Sequence, residues 1–379
     1  MRHLLKLLTR AVLPLSAAFS LSACVAQAKV APTATAPVQA ASARVDYSKH
    51  PAAAAFIKKM VEQHGFDKQY IVDTLAQAEQ QPRILELIAK PAEKAKPWYE
   101  YRQIFLTPLR VQGGVEFWQQ HKDILAEMEK TYGVPAEIIV AIIGVETRYG
   151  TYMGTYRVID ALTTLGFDYP PRGAFFAGQL EAFFLMAREQ QHDPLSLMGS
   201  YAGAMGYGQF IPSSYRSFAV DYDKDGFADI WANKQDAIAS VANYFKAHGW
   251  QMGLPVAERA SRQAGFPENK LNTEQRPSVM ANELARQGFA PLSRRAIQPI
   301  AAVALSYEGE QGQEYWLGYN NFYVITRYNR SRMYALAVYL LSEEIANTYQ
   351  RRYCQCVSAT SCGAPSHGSF AITNLYSLL

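Results

Sequence analysis

Cysteine is scarce in this chain of 379 residues: there are four, and three of them, Cys354, Cys356 and Cys362, crowd the C-terminus. A framework of disulfides spread through the fold is therefore excluded. A zinc knot is disfavoured too, because only His367 stands near those thiols and the paired Cys-x-x-Cys spacing of such sites is missing. The histidines number seven, and no two stand at the helical spacing of a metal-ligand pair. Charge of one sign is also lacking: 37 Lys and Arg against 33 Asp and Glu leave +4, most of it from Arg2, Lys6 and Arg10. Nucleic-acid binders show a basic face or stripe, so that class has no electrostatic support. Neither Gly-x-Ser-x-Gly nor an evident cysteine nucleophile appears, which removes two common routes to covalent catalysis. No internal repeat points to a solenoid or propeller. What remains is a chain with 49% hydrophobic residues, enough for a large core divided into two or three lobes.

Residues 1–23 begin with basic side chains and continue into an apolar stretch around Leu13 to Leu21, the pattern of a secretory signal. It is too short to be a membrane span with flanks. Its end, Leu21-Ser22-Ala23-Cys24, resembles a bacterial lipoprotein processing site in which Cys24 becomes the lipidated first residue; ordinary cleavage leaving a free Cys24 is the alternative. Val25 rather than an aspartate follows, which by analogy favours the periplasmic face of the outer membrane. Residues 24–50 read as a flexible tether, since Ala26 to Arg44 has no helical or strand period. In an exported chain Cys354 or Cys356 can pair with Cys362, and the sequence does not choose between them. No function is assigned to the tail, residues 350–379.

Helical spacing runs through residues 51–130, with Phe56, Ile57, Met60 and Val61 on one face, Gly65 as a stop and a second helix from about Asp67. These residues are expected to form an α lobe completed by a helix over 331–349. Residues 131–250 are expected to be the catalytic core, with helices at 174–190 and 236–248. Between 251 and 326 the helical period weakens. Glu314-Tyr315-Trp316-Leu317 and Asn321-Phe322-Tyr323-Val324-Ile325 read as strands of a small β lobe, with one short helix over 279–287. The fold class is mainly α, with a minor β part.

Three segments could carry chemistry. Ile138 to Val145 is a long apolar run that ends on Glu146, and at helical spacing Ile139, Ile142 and Ile143 share its face. Burial makes ionisation costly and favours the proton-holding form that a general acid needs. A structural ion pair with Arg148 or another arginine is the competing reading. Ser200 to Pro212 combines glycines with Ser200, Gln209, Phe210 and tyrosines, the parts of a carbohydrate groove or of a tight packing loop. Asp221, Asp223, Asp225 and Asp229, with Gly226 and the Phe227 carbonyl, match the first nine positions of a calcium loop. Ala232 stands where a closing glutamate belongs, so Asp236 is the expected substitute, with Asp229 the other choice. A solvated acidic turn is the alternative.

Gly144 to Gly150, Phe167 to Arg172, Ser200 to Pro212 and Asn321 to Asn329 together resemble the membrane-bound lytic transglycosylase B family, over about residues 101–339. The resemblance implies a lysozyme-like core between an α lobe and a small β lobe, with an EF-hand-like calcium loop over 221–236 and no organic cofactor. It implies cleavage of the β-1,4 bond between N-acetylmuramic acid and N-acetylglucosamine in peptidoglycan without water, giving 1,6-anhydro ends. Glu146 would act as acid and then base. Ser200, Gln209 and Phe210 look like groove residues, and Tyr101, Tyr244, Tyr328, Asn329 and Tyr334 match further sugar-site positions. Arg172 resembles one of two adjacent arginines, but Pro171 occupies the other position. A monomer is expected, with glycan strands, the outer membrane and enzymes of cell-wall synthesis or turnover as partners. A water-using muramidase and a non-catalytic peptidoglycan-binding lipoprotein are the rival readings.

Overall fold

The computed structural model describes residues 45–89, 96–273, 276–293 and 299–354. The leader, Cys24, most of the tether, residues 355–379 with Cys356 and Cys362, and the side chain of Cys354 lie outside the described residues. The first three α-helices of the described residues are α1 (Ala53–His64), α2 (Lys68–Gln77) and α3 (Pro82–Ala89). Gly65 ends α1 in the left-handed conformation, and Asp67 caps α2 by accepting from the Tyr70 amide at 2.8 Å. Then come α4 (Trp98–Tyr101), α5 (Pro108–Gln120), α6 (Lys122–Tyr132) and α7 (Ala136–Thr147), the helix of Glu146. A two-residue strand, β1 (Tyr156–Arg157), precedes α8 (Val158–Asp168) and α9 (Gly173–Glu189), and pairs with β2 (Met198–Gly199). Next are α10 (Pro212–Phe218) and α11 (Lys234–Ala247).

A sheet follows, built from β3 (Ala257–Arg262), β4 (Val279–Met280), β5 (Phe289–Pro291), β6 (Ala301–Gly309) and β7 (Gly312–Gly318) in the order β4-β6-β7-β3-β5, all antiparallel. Helix α12 (Ala281–Arg286) lies between β4 and β5 in sequence. The long strand β6 is covered on both faces: Val303, Leu305 and Tyr307 join the core around α7, while Ala302 and Ala304 join a smaller core with Phe266, Leu284 and Phe289. The chain returns to helix in α13 (Asn320–Tyr328) and α14 (Arg332–Tyr349).

Two sequence expectations need correction. Asn321 to Ile325 is helical, not a strand: Asn321, Val324 and Ile325 stand at i, i+3 and i+4 and are all buried, so packing overrides the β preference of Val and Ile. The division at residue 131 also fails, because the cores cut across it. Helices α1 to α3 pack with α8 and α9, whereas α5 and α6 share a core with α7, α11, α13 and α14. A helical period shows that a face is buried, but not against which neighbour.

Candidate active site

Helix α7 is apolar on every side, and Ala136 and Ile138 to Gly144 are all buried, which places it inside the core. Its C-terminal end is unusual. Arg148 (φ 48°), Tyr149 (φ 60°) and Gly150 (φ 90°) are consecutive left-handed residues, and two of them carry side chains. Each such non-glycine costs about 1–2 kcal/mol and persists only where the surroundings enforce it. The enforcement is visible. Thr147 directs its hydroxyl between the carbonyls of Ile143 (3.1 Å) and Tyr207 (3.0 Å) and accepts from the Gly150 amide (3.0 Å). The Tyr149 hydroxyl donates to the Arg110 carbonyl at 2.7 Å, and its ring fills the space over Gly113, Gly114 and Gly144.

Glu146 emerges half-buried from this fixed turn, and its Oε1 accepts a hydrogen bond from the Tyr334 hydroxyl at 2.5 Å. Tyr334 sits in the first turn of α14, where the Ser331 hydroxyl caps the helix by accepting from the Tyr334 amide at 3.2 Å. Burial, and after it the charge of Glu146, pushes the Tyr334 phenol well above its ordinary value, so it remains a donor at any working pH. Tyr328 is raised by the same two causes in the same order, and donates to the Gly208 carbonyl at 2.5 Å. Its ring meets Tyr244 edge-on at 4.7 Å, stacks on Phe245 at 5.7 Å and lies 6.0 Å from Phe210. The environment of the acid is phenolic.

The glycine-rich segment braces itself. Ser200 Oγ accepts from the Ala204 amide (3.1 Å), and Gln209, left-handed at φ 50°, donates from its side chain to the carbonyls of Gly206 (3.0 Å) and Met153 (3.2 Å). A Cβ at Gly208 would come within 2.8 Å of the Tyr328 hydroxyl, so glycine there is what admits that contact.

A second acidic region lies between α10 and α11. Oxygens of Asp221, Asp223 and Asp236 gather within 4.8 Å of one another. Asp236, in the first turn of α11, is fully buried and accepts from the amides of Tyr222 (2.9 Å) and Asp229 (2.8 Å). Burial raises its pKa first, these amides oppose the rise, and the charges of Asp223 and Asp221 add to it. Asp229 instead accepts from the amides of Trp231 (2.9 Å) and Ala232 (2.8 Å), and Asp225 from that of Phe227 (2.9 Å). Of the two choices left open for closing the loop, Asp236 is therefore the one that converges. Three carboxylates so close repel one another unless a cation joins them, and hard oxygen donors suit calcium.

A model of the family described as transglycosylase SLT domain matches residues 48–343. The chain belongs to this family. The membrane-bound lytic murein transglycosylase B of Escherichia coli (strain K12) is 48% identical over 314 residues, 79% of this chain and 84% of that protein. Among solved structures, the catenated lytic transglycosylase SltB1 of Pseudomonas aeruginosa superposes with a TM-score of 0.76 at 49% identity, covering 80% of this chain and all of that one. The Escherichia coli lytic transglycosylase Slt35 in complex with calcium gives 0.72 at 46% identity, covering 80% and 95%. The lysozyme-like, mainly helical fold expected from the sequence holds for this transglycosylase.

The structure brings Glu146, Tyr334, Tyr328, Tyr244 and Phe210 into one neighbourhood, with Tyr101 among the groups that act on the Tyr334 phenol. The Tyr244 hydroxyl donates to the Arg327 carbonyl at 2.6 Å and its ring stacks on His248. Asn329 is the C-cap of α13, and Arg172 lies exposed at the head of α9 over Phe175. Arg148 lies over the ring of Tyr152. Sequence reasoning missed Thr147 and Tyr149, whose roles depend on the left-handed turn and, for Tyr149, on Gly113 and Gly114 about 35 residues earlier in the chain. Ser331 carried a signal, a capping serine at a helix start.

Proposed function

We propose that this transglycosylase cleaves the β-1,4 bond between N-acetylmuramic acid and N-acetylglucosamine in peptidoglycan without water, leaving 1,6-anhydromuramic acid ends. The observation that carries the reading is the hydrogen-bonded placement of Glu146, an acid at the end of a buried helix with the Tyr334 hydroxyl on Oε1. The carboxyl of Glu146 carries the exchangeable proton. In the first step Glu146 gives this proton to the glycosidic oxygen as the C1–O bond breaks. In the second its carboxylate takes the proton of the muramyl C6 hydroxyl as O6 bonds to C1, which restores the acid; one residue serving both directions accords with microscopic reversibility. The braced Ser200 to Pro212 segment, with Tyr101, Tyr244, Tyr328, Asn329 and Arg172, lines the approach of the glycan. Asp221, Asp223 and Asp236 would hold a calcium ion, with Asp225 and the Phe227 carbonyl as further ligands, and the ion would supply the positive charge this cluster needs. Its role is structural.

Among the described residues no helix is long and apolar enough to cross a membrane. A lipid on Cys24 would anchor the enzyme at the periplasmic face of the outer membrane, and a tether of about 20 residues reaches on the order of 25 Å. The test is product chemistry. Purified sacculi digested with the enzyme should yield muropeptides one water lighter than their reducing counterparts, and Glu146→Gln should abolish their release. Reducing ends without anhydro sugar would overturn the reading in favour of a hydrolytic muramidase.

A further inference from the structure

The hydrogen bond on Glu146 depends on where the first turn of α14 sits, and that turn is fastened to the sheet. Strand β6 supplies the fastening at two neighbouring residues. Tyr307, buried on the helical side of the strand, donates its hydroxyl to the Arg332 carbonyl at 3.1 Å. The Arg332 guanidinium in turn donates to the Asn272 carbonyl. Asn272 is itself locked to β6: left-handed at φ 59°, it donates its amide to the Ala304 carbonyl (2.9 Å), donates its side chain to the Ser306 carbonyl (3.1 Å) and accepts from the Ser306 amide (3.1 Å). Arg332 is thus held at its main chain by Tyr307 and at its side chain by Asn272, two residues before Tyr334.

The anchor is rigid behind this contact. Tyr307 is paired across the sheet with Glu314. Its ring packs against Trp98 at 5.4 Å, and the Trp98 indole donates to Glu314 at 3.3 Å. Arg102 and Arg259 lie 3.5 and 3.2 Å from the same carboxylate. Burial keeps the Tyr307 phenol protonated, so the tether persists across the working pH range.

We propose that Tyr307 and Asn272 are positioning residues for the reaction: through Arg332 the sheet fixes the first turn of α14, and with it the Tyr334 hydroxyl on Glu146. The proposal rests on Glu146 being the acid. Small displacements of a reacting group are costly, so Tyr307→Phe, which keeps the ring and its packing, should lower kcat about tenfold with KM little changed. The deciding experiment is a double-mutant cycle with Tyr334→Phe on a soluble glycan oligomer of alternating N-acetylglucosamine and N-acetylmuramic acid. If Tyr307 acts through Tyr334, adding Tyr307→Phe to the Tyr334→Phe enzyme causes no further loss. Equal losses in both backgrounds, or an unchanged kcat in the single variant, overturn the proposal. Asn272→Gly, which keeps the left-handed backbone and its amide bond to Ala304 while removing the side-chain bonds to Ser306, repeats the cycle at the other tether and stands in if Tyr307→Phe melts early. Turnover by Glu146→Gln would overturn the acid assignment and the tether together, whereas additive losses with Glu146→Gln inactive overturn the tether alone.

Discussion

Two regions of this transglycosylase hold buried or half-buried acids, and they solve the problem in opposite ways. Glu146 is placed among phenols: Tyr334 donates to it, and Tyr328 feels its charge. Asp236 is placed among acids, with Asp221 and Asp223 close by. Phenols held far above their ordinary pKa offer a proton donor and no competing charge, so the carboxyl beside them can pass between acid and base. Clustered carboxylates repel, and the calcium ion proposed above would relieve that repulsion around Asp236. In the function proposed above, one acid exchanges a proton and the other binds an ion.

The contrast can be broken from either side. The largest effect should come from Glu146→Gln, with glycan cleavage falling about 10³-fold or more while the melting temperature stays near that of the parent; retained turnover would remove the acid from the mechanism. Tyr334→Phe should cost roughly 10- to 100-fold in kcat, and a loss seen only in KM would make the phenol a sugar contact rather than a partner of the acid. On the other side, chelation should lower the melting temperature by about 5–10 °C, and added calcium should restore it. Asp236→Asn should abolish that response, and a variant still protected by calcium would place the ion elsewhere.

The smallest effect tests an acid that has neither solution. Glu137, in the first turn of α7, is pushed up to about 7 from 4.5, by burial first and then by Glu129 and Glu343. A carboxyl raised on folding favours the folded state at low pH and loses that advantage as pH rises from about 4.5 through 7, so the penalty is complete above 7. Glu137→Gln should therefore raise the melting temperature by about 2–5 °C at pH 8 and leave it unchanged near pH 4. An equal gain at both pH values would point to packing instead of charge.

Much of this was legible in the chain. The apolar run ending on Glu146, the second helix at Gly173–Glu189, the helix over 331–349 and the strand containing Glu314 to Leu317 all follow from period and composition. The reading failed where the answer lies in partners. Asn321 to Ile325 has the composition of a strand and the burial of a helix. The first three helices left no sign of their pairing with α8 and α9. Tyr334 and Tyr328 entered through the family resemblance alone, and nothing in the sequence showed that one hydroxyl would go to Glu146 and the other to the Gly208 carbonyl. A tyrosine's target depends on where two distant backbones meet.

The Tyr149 ring over three glycines has a consequence for how the enzyme tolerates change. A Cβ at Gly113 would come within 2.8 Å of that ring, and one at Gly144 within 2.5 Å of its hydroxyl. At Gly114 the obstacle is Ile345 of α14, again at 2.5 Å. The turn that carries Glu146 is thus guarded by residues that have no side chain. A methyl group at Gly113 or Gly144 would displace the Tyr149 ring that braces the turn after Glu146, and one at Gly114 would meet Ile345 on the helix that carries Tyr334, so positions outside the site are among those that hold it.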